Sequence, residues 1–169
     1  MEIFDVVDEH DQVIGQAPRQ EVHAKKWHHR AIHVFVFNAK GEIFLQFRSR
    51  KKNNHPLTWD SSCSGHVDTG ETYREAAVRE LGEEIGIQAA EARALQEVMK
   101  IGTCPETGFE HCWLYTLRHN GPFVLHPEEI EDGRWFETEE IDRTIEKTPE
   151  KMAPPFIYIW DKWRQGAGA

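Results

Sequence analysis

GHVDTGETYREAAVRELGEEIGI, residues 65–87, decides how this chain is read. Its second half holds Glu80, Glu83 and Glu84 close together, with Arg79 beside them and Gly86 as a stop. Val78, Leu81 and Ile85 recur at i, i+3 and i+7 with Ala77 alongside, so the segment reads as an amphipathic helix with that face toward a core. Thr72 and Glu75 have capping-box spacing at its start, and Gly86 suits a left-handed cap at its end. At about 100° per residue, Glu80, Glu83 and Glu84 fall in one stripe, roughly a third of the circumference wide, adjacent to the apolar face. A like-charge pair at i, i+4 costs about 0.2–0.5 kcal/mol on an isolated helix. Carboxylates in the last turns also oppose the helix dipole, and only Arg79 and Arg74 are near enough to compensate. The ordinary fate of such a run is a solvated acidic face. The alternative is a site for a hard divalent ion such as Mg²⁺ or Mn²⁺, which prefers oxygen ligands and is held by a few carboxylates plus substrate phosphates.

Outward from this segment, the chain of 169 residues is 39% hydrophobic and 11% aromatic, with six Trp and nine Phe. That is a globular composition. The length suits one domain with a real core, expected to span residues 1–169 with an N-terminal extension over residues 1–30. The net charge of −9 disfavours nonspecific binding of nucleic acid or an anionic membrane. A bound divalent cation is one way for an anionic substrate to overcome that field. The start, MEIFDVVDEHD, has neither the basic nor the apolar region of a signal peptide, and no apolar run approaches the ~20 residues that span a bilayer. Cys63, Cys104 and Cys112 lack CxxC spacing and read as free thiols of a cytoplasmic protein. The GAGA tail is expected to fray.

EIFDVVD and VIGQA read as a short hairpin around EHDQ, and Pro18 suits the first turn of a short helix through PRQEVHAKKW. AIHVFVFN and EIFLQFRS flank Ala39-Lys40-Gly41 and read as a second hairpin at the centre of the sheet. KKNNHPLTWDSS is a polar loop. ARALQEVMKIG and FEHCWLYTLR read as strands, the first also compatible with a helix. GRWFE is a short strand, TEEIDRTIEK a helix with Thr138 as N-cap, and APPFIYIWDKW a final helix with prolines in its first turn. Strands and helices mix without βαβ regularity, so the fold class is α/β or α+β with a mixed sheet.

The full spacing is Gly65, five residues, Glu71, seven residues, then Arg79-Glu80-Leu81-Gly82-Glu83-Glu84-Ile85-Gly86-Ile87. It resembles the Nudix box, Gx5Ex7REUxEExGU with U a bulky aliphatic, at every fixed position. The box covers 23 of 169 residues; the hairpin before it and the strands after it extend the likeness over roughly residues 30–140. The resemblance implies a Nudix-type α/β/α sandwich with a loop–helix–loop metal site. It implies cleavage of a diphosphate bond in a nucleoside diphosphate linked to another group, with Mg²⁺ or Mn²⁺ as cofactor. Residue by residue, it implies that Glu80 and Glu84 are metal ligands, that Glu83 is a ligand or a water-activating base, that the Gly65 carbonyl completes the shell, and that Arg79 orients the glutamates. Glu71 takes a structural role, partnering an arginine or backbone amides at the helix start. Many members add an acid from a late loop. Glu128, Glu129 and Glu131 in HPEEIED are the candidates here, and Glu129 is carried with Glu80, Glu83 and Arg79 into the catalytic set. The partner implied is a small-molecule diphosphate, with neither nucleic acid nor membrane, and a homodimer is the assembly the family suggests. Nucleotide sugars, dinucleotide cofactors, oxidised nucleotides, thiamine-type and prenyl diphosphates are all compatible with the box, because variable loops choose the leaving group.

The run HHRAIHVFVFNAKGEIFLQFRSRKK, with a later Trp and CSGH, also looks like the isopentenyl-diphosphate isomerase branch of the superfamily. Those enzymes shift a double bond by protonation and deprotonation, using a cysteine in a Cys-x-His element, upstream histidines and late-strand glutamates. His29 and His66 lie where two of the histidine ligands fall, His23 lies near a third, and Glu129 falls near one of the glutamates. The cysteine position, counted back from His66, is Ser64. Cys63 lies one residue earlier, on the opposite face of an extended strand, and serine has no accessible thiolate. The isomerase box is usually degenerate and this one is intact. Both departures favour a hydrolase. A Nudix-fold binding module without turnover is a third class, and such modules often lack a box acid. His33 alternates with core residues and reads as structural, and Cys63 as a buried small side chain. Trp59 either lines the pocket or packs. Arg48, Arg50, Lys51 and Lys52 form either a solvated face or phosphate contacts.

Overall fold

The computed structural model describes residues 1–166; the part of the GAGA tail from residue 167 onward lies outside them. Strands β1 (Ile3–Val7) and β2 (Val13–Pro18) form the expected antiparallel hairpin, followed by α1 (Arg19–Ala24). Pro18 is not in the first turn of that helix. It closes β2 with extended backbone (φ −61, ψ 143) at the N-cap position. The helix stops short of Trp27 because Lys26 turns to φ 55. Phe4, Val6, Ala17 and Val22 make a small core of their own against Trp27.

The large sheet contains β3 (His29–Phe37), β4 (Ile43–Arg48), β5 (Trp59–Asp60), β6 (Cys63–His66), β7 (Gln96–Ile101), β8 (Glu110–Arg118) and β9 (Ile130–Phe136). The order is β5-β4-β3-β8-β7, with β6 on β3 and β9 on β4. β3 and β8 are parallel and the other pairs antiparallel, so the sheet is mixed. β3 is buried on both faces, as its near-continuous apolar run requires. Ile32, Val34 and Val36 meet α2 (Tyr73–Ile85) through Ala76, Ala77, Leu81 and Ile85. Ala31 and Phe35 meet α3 (Thr138–Lys147) through Ile141 and α4 (Pro154–Gly166) through Phe156, Ile159, Trp160 and Trp163. The result is an α/β/α sandwich. No described helix is long and apolar enough to cross a membrane, and all three cysteines are free.

Helix α2 ends as its residues dictate. The Thr72 side chain accepts from the Glu75 amide, and Gly86 takes φ 75. Val78 is only partly buried and Ala76 takes the core position instead. Other details depart from the sequence reading. The N-cap of α3 is Glu137, which makes no side-chain capping bond, so Thr138 is already helical. The ambiguous segment ARALQEVMKIG divides into a 3-10 turn, Glu91–Ala94, and then β7. The strand around GRWFE begins earlier, at Ile130, because it pairs with β4 from Arg48 onward.

The largest departure concerns the central hairpin. β3 and β4 pair only at Val36–Phe44 and Phe37–Ile43. Beyond that, β4 turns away to pair with β9 and β5, while β6 takes over the same edge of β3 along Ala31–Val34. The Ser62 hydroxyl sits at the apex of the split, accepting from the Val36 amide at 2.8 Å and donating to the Phe44 carbonyl. Two strands that would otherwise zip together are thereby held apart.

The N-terminal hairpin is fastened to this body by Asp11. Its carboxylate accepts from Arg30 Nε of β3 (2.6 Å), the Tyr73 hydroxyl of α2 (2.8 Å) and Lys100 Nζ of β7 (2.6 Å). Burial raises the Asp11 pKa, but the hydrogen bonds from Lys100, Arg30 and Tyr73 outweigh it and the net shift is downward. The stabilisation is therefore present at neutral pH and is lost as pH falls through the lowered value. Asp11→Asn keeps the side-chain size and the tolerance of φ 63. It is expected to cost about 1–3 kcal/mol in denaturant unfolding and to speed amide exchange across residues 3–18. Equal exchange in variant and parent would mean that apolar contacts alone hold the hairpin.

Candidate active site

The split between β4 and β6 is where α2 presents its carboxylates. Glu84, only 5% exposed, enters the gap and accepts from the Ser64 amide of β6 at 2.9 Å and from Gln46 Nε2 of β4 at 3.5 Å. Glu80 lies against Gly65, where an added β-carbon would come within 2.3 Å of Glu80 Cδ. Glycine is thus the residue that admits this carboxylate. Glu83 stands at the outer edge with 58% of its side chain exposed. The acidic stripe is therefore not the open face expected beside the apolar one. It is graded, from buried Glu84 through Glu80 to exposed Glu83, because β4 and β6 close over the innermost member.

Arg79 organises the cluster. Its Nη1 donates to Glu80 at 2.8 Å and to Glu83 at 3.3 Å. Its Nε and Nη2 donate to the two oxygens of Glu71 at 2.7 and 2.9 Å, and Nη2 also reaches the His66 carbonyl at 3.0 Å. Glu71 in turn accepts from the Asp68 amide at 2.9 Å, so it partners both an arginine and a backbone amide. A planar guanidinium with five fixed donors suits this distribution; a lysine would not. Burial raises the pKa of Glu80, with the Glu84 charge adding to it and Arg79 opposing. Burial likewise raises that of Glu84 against its hydrogen bond from Ser64. Two carboxylates in a poorly solvated gap resist being ionised together.

These residues line a cleft of about 800 Å³. Of the three late acids, only Glu129 faces it, paired with Lys52. Glu128 is held outside by Lys51 and Glu131 by Arg50, each at 2.8 Å. The basic run divides the same way. Arg48 and Lys52 border the cleft, Arg48 bound to Asp60 at 3.0 Å, while Arg50 and Lys51 lie on the solvated side. Trp59 packs between Phe47 and Phe136. Ser64 faces the cleft, while Cys63 is fully buried in the core under α2, where burial and the nearby Glu84 raise its pKa well above that of a free thiol. His33 is buried with Nδ1 2.7 Å from Ser61 Oγ and also borders the cleft.

At the other end of the cleft, His23 of α1, His29 at the start of β3 and His66 at the end of β6 converge, with ring nitrogens within 4.8 Å of one another. Phe4 stacks on His29 at 5.6 Å. Burial and the neighbouring imidazoles hold the His23 pKa down to about 4, which leaves its lone pair free. The carboxylate beside this trio is Glu110 of β8, whose Oε1 is 3.1 Å from His66 Nε2 and 3.4 Å from His29 Nε2. Burial raises the Glu110 pKa, but the two imidazoles more than offset this and hold it well below the usual carboxylate range. Glu110, which the sequence reading did not single out, is the acid beside the histidines. Glu129 pairs with Lys52, and Glu110 stands beside the trio because the parallel register of β3 and β8 sets it opposite His29. The sequence signal was an acid opening the apolar strand in FEHCW.

A NUDIX domain model matches residues 27–156. The chain belongs to the Nudix family. It is 37% identical over 161 residues to an uncharacterized Nudix hydrolase of Yersinia pestis, covering 94% of this chain and 86% of that protein. It is 33% identical over 148 residues to isopentenyl-diphosphate Delta-isomerase 2 of Aromatoleum aromaticum, covering 86% and 77%. The crystal structure of DR0079 from Deinococcus radiodurans superposes with a TM-score of 0.85 at 28% identity, over 95% of this chain and 98% of that one. The Nudix box of this chain is thus the segment that carries Gly65, Glu71, Arg79 and the graded carboxylates.

The raised pKa values of Glu80 and Glu84 set a stability test. A folded-state pKa above the ordinary 4.5 means that the ionised cluster costs stability; the cost is absent below that pH and grows as pH rises through the shifted values. In metal-free buffer Glu84→Gln is expected to raise Tm by ~3 °C or more at pH 8 and to leave it nearly unchanged at pH 4. A lower Tm at pH 8 would mean that Ser64 and Gln46 fully balance the buried charge.

Proposed function

We propose that this protein is a divalent-metal-dependent hydrolase that cleaves the diphosphate bond of a nucleoside diphosphate linked to another group. The observation that carries the reading is the placing of half-buried Glu80 beside buried Glu84, whose joint charge Arg79 only partly balances. The donor set is all oxygen, poorly solvated and short of positive charge, which fits a hard cation. When bound, Mg²⁺ or Mn²⁺ would offset the charge of the diphosphate and lower the pKa of an attacking water.

In this reading Glu80 and Glu84 hold the ion, and the Gly65 carbonyl joins them from the cleft wall. Glu83, exposed and tethered only by the 3.3 Å contact to Arg79, is free to act as ligand or to accept the proton of water. Arg79 keeps the carboxylates oriented. Glu129, the one late acid that faces the cleft, completes the catalytic set, with Lys52 balancing its charge until a phosphate competes.

A second reading, prenyl-diphosphate isomerisation, is supported by the histidine–Glu110 cluster and by the relatives that carry that name. Its nitrogen donors suit Mn²⁺ or Zn²⁺ better than Mg²⁺. Against it stands the chemistry at the cleft wall, where Ser64 offers no thiolate and Cys63 has 0% exposure. A binding module without turnover is disfavoured by the presence of every box acid.

The test is a panel of nucleoside-diphosphate derivatives and isopentenyl diphosphate, incubated with wild type and Glu84→Gln, with and without Mg²⁺. The expected result is Mg²⁺-dependent release of phosphate or a monophosphate, reduced ~100-fold or more in the variant. Isomerised prenyl diphosphate without cleavage would overturn the hydrolase reading.

A further inference from the structure

Phe109 is half-buried and lines the cleft directly before Glu110, yet it belongs to none of the apolar cores among the described residues. Its backbone is in the left-handed region at φ 64, immediately after Gly108 at φ 70. These two residues end the 3-10 turn Pro105–Thr107 and lead the chain into β8. Glycine or asparagine would make that turn with little strain, whereas a bulky aromatic makes it under strain. Neither packing in an apolar core nor backbone preference therefore accounts for a phenyl ring at this position.

What the residue does offer is an aromatic ring at the cleft wall. The His28 ring lies parallel to it, at a centroid distance of 6.4 Å and an interplanar angle of 8°, and His28 is not among the described residues that line the cleft. Apart from imidazoles, Phe109 is the only aromatic side chain among the described residues of a lining otherwise dominated by charged and amide groups. From Phe109 the wall runs to Glu110, then to His66 at 3.1 Å, then to Gly65 and the Glu80 carboxylate packed on it.

We infer that Phe109 is the platform on which the aromatic base of a nucleoside diphosphate substrate stacks, and so a specificity-determining residue of this site. This rests on the hydrolase reading for the position of the diphosphate. With the base on Phe109, the ribose lies over Glu110 and His66 and the diphosphate reaches toward Glu80 and Glu84. Base–aromatic stacking accepts any base, because every base has a π face. The platform therefore selects nucleosides over base-free diphosphates without choosing among nucleobases.

The experiment is calorimetric binding, in Mg²⁺, of two non-hydrolysable probes that share a diphosphate mimic: the α,β-methylene analogue of ADP and methylenediphosphonate. Wild type is expected to bind the nucleoside probe about 10-fold or more tightly than the base-free one. Phe109→Ala and the nearly isosteric Phe109→Leu should lose most of that preference, and Phe109→Trp and Phe109→Tyr should keep it. Affinity for methylenediphosphonate should be the same in all. Phe109→Gly should lose the preference while its Tm rises, since the strained φ is relieved. A base preference that survives in both Phe109→Ala and Phe109→Leu, or no preference in wild type, overturns the inference; so does parallel weakening of both probes. Failure of the hydrolase reading would appear separately, as no product from any diphosphate in the panel, and would leave the base preference intact.

Discussion

The structure depends on one carboxylate held in a gap in its central sheet. Glu84 can be buried there only because β3 and β4 separate after two residue pairs and β6 fills the vacated edge. A charge in such a place needs donors from its surroundings, and these come from both sides of the split, Ser64 from β6 and Gln46 from β4. The Ser62 hydroxyl keeps the apex open. The arrangement spends stability locally: two acids sit in poorly solvated surroundings with their pKa values displaced upward. The two cores on either face of the sheet, rich in Phe and Trp, supply the apolar burial that offsets it.

Arg79 links that gap to the loop before α2. Its donors reach Glu71, Glu80, Glu83 and the His66 carbonyl, so hydrogen bonds tie together the start of the helix, its acidic turns and the end of β6. Gly65 matters for a related reason: the approach of Glu80 leaves no room for a β-carbon. The spacing of the Nudix box matches this geometry: Glu71, Arg79, Glu80 and Glu84 make hydrogen bonds, Gly65 makes space, Leu81 and Ile87 pack in the core, and Gly86 ends the helix.

The N-terminal segment is part of the same site. It brings Phe4 and His23 to the histidine cluster, and Asp11 fastens it through Arg30, the residue after His29. One cleft thereby has two ends of different chemistry, all-oxygen at Glu80 and Glu84, and nitrogen-rich at His23, His29 and His66, with Glu110 beside the latter.

What the sequence determined by itself was local. Helix α2 with its Thr72 and Gly86 caps, the first hairpin, α4 and the order of the box residues all follow from interactions within about four positions, or across a short turn. What only the tertiary structure decided involves residues distant in the chain. The parallel register of β3 with β8 brings Glu110 to His29 across some eighty positions. The separation of β4 from β3 turns a stripe of carboxylates on one helix face into a graded cluster with Glu84 buried at its inner end. The ladder of Arg50, Lys51 and Lys52 with Glu131, Glu128 and Glu129 leaves only the last of those acids facing the cleft. Strand partners and buried polar contacts are chosen by collective burial of the whole chain, whereas spacing along the sequence records only what a residue and its near neighbours prefer.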